Sequence, residues 1–194
     1  MTSDDWHDGW WRHARRVPSP NFSARPPGAR VDTVVLHSIS LPPGQYGGDA
    51  IERLFTNTLD WSAHPYFEQI RGLEVSAHFL VRRDGTVLQF VPIDQRAWHA
   101  GRSSWAGRAE ANDWSIGIEL EGLEGDTFEP AQYAALERLL PAIDGVRGIR
   151  HVVGHEHVAP GRKIDPGPGF DWAGLAARLR WDARRIPPAK PRAD

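Results

Sequence analysis

The sequence predicts an α/β domain of the α+β kind: one mixed β-sheet flanked by helices, with long loops that carry the chemistry. Three observations predict it. Short apolar runs are interspersed with helix-spaced segments. Asp84-Gly85 between two apolar runs is a hairpin signal and requires an antiparallel pair. Several strand-like runs end in loops that carry His or carboxylate residues. The 194 residues suffice for one domain with a real core and are few for two. One domain is therefore expected over 1–194, with a core of about 14–186 and frayed ends at 1–5 and 187–194.

The elements follow in chain order. RVPSPNFSARPPGAR (16–30) holds four prolines and reads as an irregular arm over the domain. Thr33 to Leu36 is a β-branched, apolar run that reads as a buried strand with His37 at its end. Asp49–Leu59 places Ile51, Leu54, Phe55 and Leu59 near helical spacing. SAHFLVRRDGTVLQFVP (76–92) is the hairpin. RAWHAGRSSWAGRAEAND (96–113) reads as a long Gly/Ser-rich loop, and loops of that length in compact domains are usually functional. SIGIELEG (115–122) alternates: Ile116, Ile118 and Leu120 point one way, Gly117, Glu119 and Glu121 the other. Pro130–Leu140 has Tyr133, Leu136, Leu139 and Leu140 at helical spacing, and Pro141 is expected to end or kink it. IRHVVGHEH (149–157) reads as a strand running into a loop. After a long loop at 157–172, Asp171 can cap a final helix with Leu175, Leu179 and Ile186 near one face.

Composition excludes several classes of function. Lys+Arg is 23 against 25 Asp+Glu, so a net charge of −2 offers no general attraction for nucleic acid or anionic membranes. No apolar run is long enough to span a bilayer, and MTSDDWHDGWW lacks a signal-peptide core, which points to the cytoplasm. With no cysteine, disulfides, iron–sulfur clusters and thiolate zinc sites are excluded, leaving His and carboxylate as strong metal ligands. Nine Trp suit flat amphipathic ligands such as sugars, although aromatic residues fill cores equally well.

His37, His155 and Asp165 each lie on or near a rigid apolar run. Two His and one carboxylate would leave a zinc coordination position open, the pattern of a catalytic site. His155-x-His157 on a strand is itself a plausible chelate, and spacing does not choose between His157 and Asp165. Glu119 on a polar strand face suits proton transfer if buried, but Glu121 shares that face. Lys163 could stabilise an oxyanion beside a metal, or be a plain surface lysine.

The segments VVLHSISLPPGQYGG, HPYF, VSAHFLVRRDGTVLQFVP, RAWHAG, NDWSIGIELEG and GHEHVAPGRKIDPGPGFDW resemble the cytoplasmic 1,6-anhydro-N-acetylmuramoyl-L-alanine amidases, the AmpD family of zinc amidases. The resemblance runs in order from about residue 14 to about residue 182. It implies a single mixed sheet flanked by helices, a Zn²⁺ cofactor held by His37, His155 and Asp165, and catalytic Glu119 and Lys163. Tyr66, His78, Trp98 and His99 match motifs that line or support the family's cleft, and Ser38 stands where relatives often have Asn. Glu74 and Glu110 stand where some relatives carry Arg, which bears on peptide preference. The implied reaction cleaves the amide between the lactyl group of 1,6-anhydro-N-acetylmuramic acid and L-alanine, by a monomer acting on imported cell-wall fragments. The rivals are an amidase that lyses intact wall and a non-catalytic peptidoglycan-recognition module.

Overall fold

The computed structural model describes residues 5–186. The ends expected to fray, 1–4 and 187–194, lie outside the described residues. Asp5 is tied down, since the Arg12 N–H donates to its carbonyl at 2.9 Å.

Strands β1 (Trp6–His7) and β2 (Trp10–Trp11) form an N-terminal hairpin. The arm contributes β3 (Arg15–Arg16) and β4 (Phe22–Ser23). Strand β5 (Thr33–Ile39) runs two residues past His37, so that residue sits inside the strand rather than at its end. Helix α1 (Ala50–Phe55) is shorter than its apolar spacing suggests, because Asn57 adopts a left-handed conformation, φ 59°, just beyond it. Helix α2 (Pro65–Gln69) is capped by His64, whose Nδ1 accepts from the Tyr66 N–H at 3.1 Å.

Strands β6 (Phe79–Val81) and β7 (Val87–Gln89) make the predicted hairpin. Gly85 has φ 83° there, and a side chain would also meet the Ala131 carbonyl at 2.8 Å. The segment read as a plain loop, 96–113, holds β8 (Arg96–Ala97), β9 (Ser104–Trp105), β10 (Arg108–Ala109) and the start of α3 (Ala111–Trp114). Its pairings are two residues long, below what periodicity in a sequence can resolve.

Strand β11 (Ser115–Glu121) is followed by α4 (Pro130–Arg147), β12 (His151–Gly154), α5 (His155–Val158) and α6 (Trp172–Leu179). Helix α4 continues through Pro141 and ends at Gly148, which takes the left-handed conformation. Leu136, Leu139, Leu140 and Ile143 on both sides of the proline are fully buried, and that packing outweighs the lost backbone bond. Asp171 caps α6 as expected, accepting from the Gly174 N–H at 2.8 Å, but Ile186 lies beyond that helix.

The main sheet has the order β12-β5-β11-β6-β7-β3. The first four strands are parallel and β6–β7 is antiparallel, so the sheet is mixed. Val34, Leu36, Ile116, Ile118 and Leu120 face α4 and α6 in one core. Leu80, Leu88 and Phe90 pack with Ile51, Leu54 and Phe55 of α1 and Phe67 of α2 in a second. The β5 and β11 residues that alternate with the first core, Val35, His37, Gly117 and Glu119, therefore look away from α4.

Candidate active site

Strand order builds the site. Glu119 of β11 is the register partner of His37 of β5. On the other side of β5, Gly154 closes β12 opposite Leu36, and His155 is the next residue. Three adjacent parallel strands thus set His155, His37 and Glu119 in a row, one strand spacing of about 4.8 Å apart. Asp165 comes from the loop after α5, which is bound back when the Glu156 N–H donates to the Asp165 carbonyl at 2.9 Å.

His37 Nδ1 lies 2.9 Å from His155 Nδ1, and each lies 3.1 Å from Asp165 Oδ2. All three residues are buried. The far side of His155 fixes its tautomer. Its Nε2 is 3.0 Å from the Ala100 carbonyl, which can only accept, so Nε2 carries a hydrogen and Nδ1 is the nitrogen turned inward. Burial, resisted by the neighbouring Asp165 carboxylate, pushes His37 down to about 4, so it is neutral at physiological pH. Burial raises the Asp165 carboxyl, but the two imidazoles that face it, His155 and His37, outweigh burial and hold that group well below the usual carboxylate range. A buried carboxylate and two imidazoles converging within 3.1 Å are a donor set fitted to a cation, and its two nitrogens and one oxygen suit zinc.

His157 does not join them. The strand expected through 155–157 is instead the turn of α5, where residues two apart point to opposite sides. Its Nδ1 accepts from the Gly154 N–H at 2.8 Å, and its ring packs 5.5 Å from Trp172 and 6.3 Å from Trp105.

Glu119 and Glu121 also part company. Their strand is central, flanked by β5 and β6, so neither lies at a solvated edge of the sheet. Glu121 is 2 % exposed and consumed by structure: it pairs with Arg82 at 3.2 Å and accepts from the Gly47 N–H at 2.7 Å. Glu119 is 9 % exposed and lines the cavity, and its Oε2 has no hydrogen-bond partner among the described residues. Burial first, then the nearby Asp165 charge, push its carboxyl well above the usual range, against the pull of Lys163.

These groups open into a cavity of about 280 Å³. Ser38, Tyr66, Trp98, His99 and Lys163 line it with Glu119 and the three converging donors. Leu54, Phe55 and Ile70 supply an apolar wall. His78 is the exception among the residues expected at the cleft. It is fully buried off the cavity wall, where its Nδ1 accepts from the Gly117 N–H at 3.0 Å and it supports β11 rather than facing a ligand. Glu74 and Glu110 are not part of the lining either.

Sequence reading missed Arg25 and Asn112. Arg25, from the Pro-rich arm, is partly buried and donates to the carbonyls of Asn112, Asp113 and Ser115 at 2.9 to 3.0 Å. Asn112 Oδ1 accepts the N–H groups of both His99 and Ala100. Arg25 lies in no motif, and Asn112 opens the NDWSIGIELEG segment, but neither has a local signal of its role, since each acts through backbone carbonyls or amides distant in sequence.

Residues 27–168 match the profile of the family described as N-acetylmuramoyl-L-alanine amidase. The chain is 52 % identical over 172 residues to the 1,6-anhydro-N-acetylmuramyl-L-alanine amidase AmpD of Citrobacter freundii, covering 88 % of this chain and 92 % of that one. A crystal structure of a selenomethionine AmpD derivative superposes with a TM-score of 0.87 at 50 % identity, covering 89 % of this chain and 98 % of that one. The Escherichia coli amidase AmiD, solved with anhydro-N-acetylmuramic acid-L-Ala-D-γ-Glu-L-Lys, is 31 % identical with a TM-score of 0.56, over 79 % of this chain and 60 % of that one.

Proposed function

Because the chain belongs to the N-acetylmuramoyl-L-alanine amidase family, we propose that it hydrolyses the amide joining the lactyl group of 1,6-anhydro-N-acetylmuramic acid to L-alanine, using zinc held by His37, His155 and Asp165. On this reading residues 1–194 are one zinc amidase domain acting as a monomer, supported by a cavity whose described lining comes from one chain. Its place is the recycling of cell-wall fragments in the cytoplasm. Among the described residues no helix is long and apolar enough to cross a membrane.

One observation carries the reading: three buried donor atoms lie within 3.1 Å of one another, next to a buried carboxylate with an unpartnered oxygen. Zinc bound there would supply a Lewis acid that polarises the scissile carbonyl and acidifies water. Glu119 takes a proton from the attacking water through Oε2 and returns it to the departing L-alanine nitrogen. Its raised proton affinity suits both halves of that transfer. Lys163 holds its ammonium at the cavity edge, where negative charge grows on the carbonyl oxygen. Tyr66, Trp98 and the apolar wall orient the sugar and exclude bulk water. A recognition module would have no use for the full set.

A parallel product assay tests this. Anhydro-muropeptide and intact peptidoglycan are offered to zinc-loaded protein, with and without chelator, and released stem peptide is identified by mass. Chelator-sensitive release from the anhydro fragment is expected. Release mainly from intact wall would replace the recycling role with a lytic one, and binding without release would leave only a recognition module.

A further inference from the structure

The metal donors His37 and His155 are held from behind by one segment, and the two holds differ. His155 reaches the Ala100 carbonyl directly. His37 Nε2 instead meets another imidazole, His99 Nδ1, at 2.9 Å. One of those two nitrogens must carry hydrogen and the other must not, and the choice decides whether His37 offers the site a lone pair or an N–H.

A chain of contacts settles that choice from a fixed end. The Ser115 hydroxyl donates to the Ala111 carbonyl at 2.5 Å, which commits its only hydrogen. Its oxygen can then only accept from His99 Nε2, 3.3 Å away, so the hydrogen of neutral His99 is on Nε2. His99 Nδ1 accepts, His37 Nε2 donates to it, and His37 Nδ1 is left as a lone pair facing His155 and Asp165. Ring placement is equally constrained. A side chain at Gly117 would overlap the His99 ring, so only glycine at that position of β11 lets the ring lie across the strand. Asn112 Oδ1 pins the backbone at His99 and Ala100 together, at 3.1 and 2.8 Å.

We propose that His99 is a positioning residue, the middle link of a relay Ala111–Ser115–His99–His37 that fixes the His37 tautomer for metal binding, with Gly117 as the seat of its ring. The proposal rests on the zinc reading above. It assigns His99 to the metal ligand behind it rather than to substrate.

The test has two arms. Long-range ¹⁵N–¹H NMR of zinc-free wild-type protein reads the tautomers directly. His37 and His155 should both carry hydrogen on Nε2, and a hydrogen on His37 Nδ1 would overturn the relay. Zinc affinity by chelator competition forms the second arm. His99→Leu, which removes the acceptor at similar volume, should bind zinc on the order of 10–100-fold more weakly. His99→Gln, which keeps an acceptor oxygen, should recover most of that loss. Equal affinity of His99→Leu and wild type would overturn the proposal. If His99→Leu does not fold, Ser115→Ala, which detaches the relay from its anchor, takes its place with the same direction of effect. Failure of the wild type itself to bind zinc would sink the metal reading, while the tautomer spectrum would still decide the relay.

Discussion

Two glutamates on one strand face, two residues apart, have opposite tasks, and substitutions should separate them. Glu121 has every oxygen used. Turning one of them into an amide NH2 sets a donor against either the Arg83 N–H or the Arg82 and Gly47 donors in a buried network, so Glu121→Gln should cost about 3 kcal/mol of stability. Glu119 is a liability to the fold. Its folded-state proton affinity is raised, so its contribution is fully favourable below the unfolded pKa and lost as pH rises through the folded one. In zinc-free protein, Glu119→Gln should therefore raise Tm at pH 7, with the gain shrinking toward pH 4. The same variant should lose turnover by on the order of 10²–10⁴ while retaining zinc. A Glu119→Gln protein that is active, or no more stable than wild type at pH 7, would remove the buried base from this account. Removing a zinc donor should look different: His37→Ala is expected to lose metal and activity together, as metal analysis alongside the assay would reveal.

At the scale of elements, legibility followed the length and periodicity of each segment. The alternation at 115–121 and the Asp84-Gly85 turn appear as β11 and the β6–β7 hairpin, because their signals are local. The pairing of His37 with Glu119 has no local trace. It follows from strand order, and for these donors only resemblance to a family supplied the grouping. The turn at 155–158 was read as strand-to-loop because four residues are too few for a helical period, which left His157 as a rival ligand. Pro141 does not end α4, for another reason: the breaker signal is real, but four fully buried residues, Leu136, Leu139, Leu140 and Ile143, hold the helix together across it. That conflict predicts a gain. Pro141→Ala restores the missing backbone donor on a partly exposed position. It should stabilise the protein by about 1–2 kcal/mol, since the helical benefit exceeds the lost rigidity of the unfolded chain. A lower midpoint in urea unfolding would show that the proline relieves strain that the helix otherwise bears.

For the whole molecule, the sheet divides labour between its faces. The face against α4 and α6 is a dry apolar core, and it pays for a second face on which β5 and β11 bury His37 and Glu119 beneath the cavity. Among the described residues, that second face concentrates what opposes folding without a metal: a carboxylate kept charged, the His37 imidazole kept neutral, and a glutamate oxygen without a partner. Metal and stability must then be linked. A ligand present at a hundred times its Kd stabilises the folded state by about 2.7 kcal/mol. For a chain of this size each kcal/mol moves Tm by about 2–4 °C. Chelation should therefore lower Tm by about 5–11 °C, with Zn²⁺ restoring it in proportion to the logarithm of its concentration. His37→Ala should begin near the chelated value and ignore added zinc. Calorimetry with and without chelator decides the matter. A wild-type Tm indifferent to zinc would mean that the three donors are satisfied by one another, and that the second face was shaped for something other than a cation.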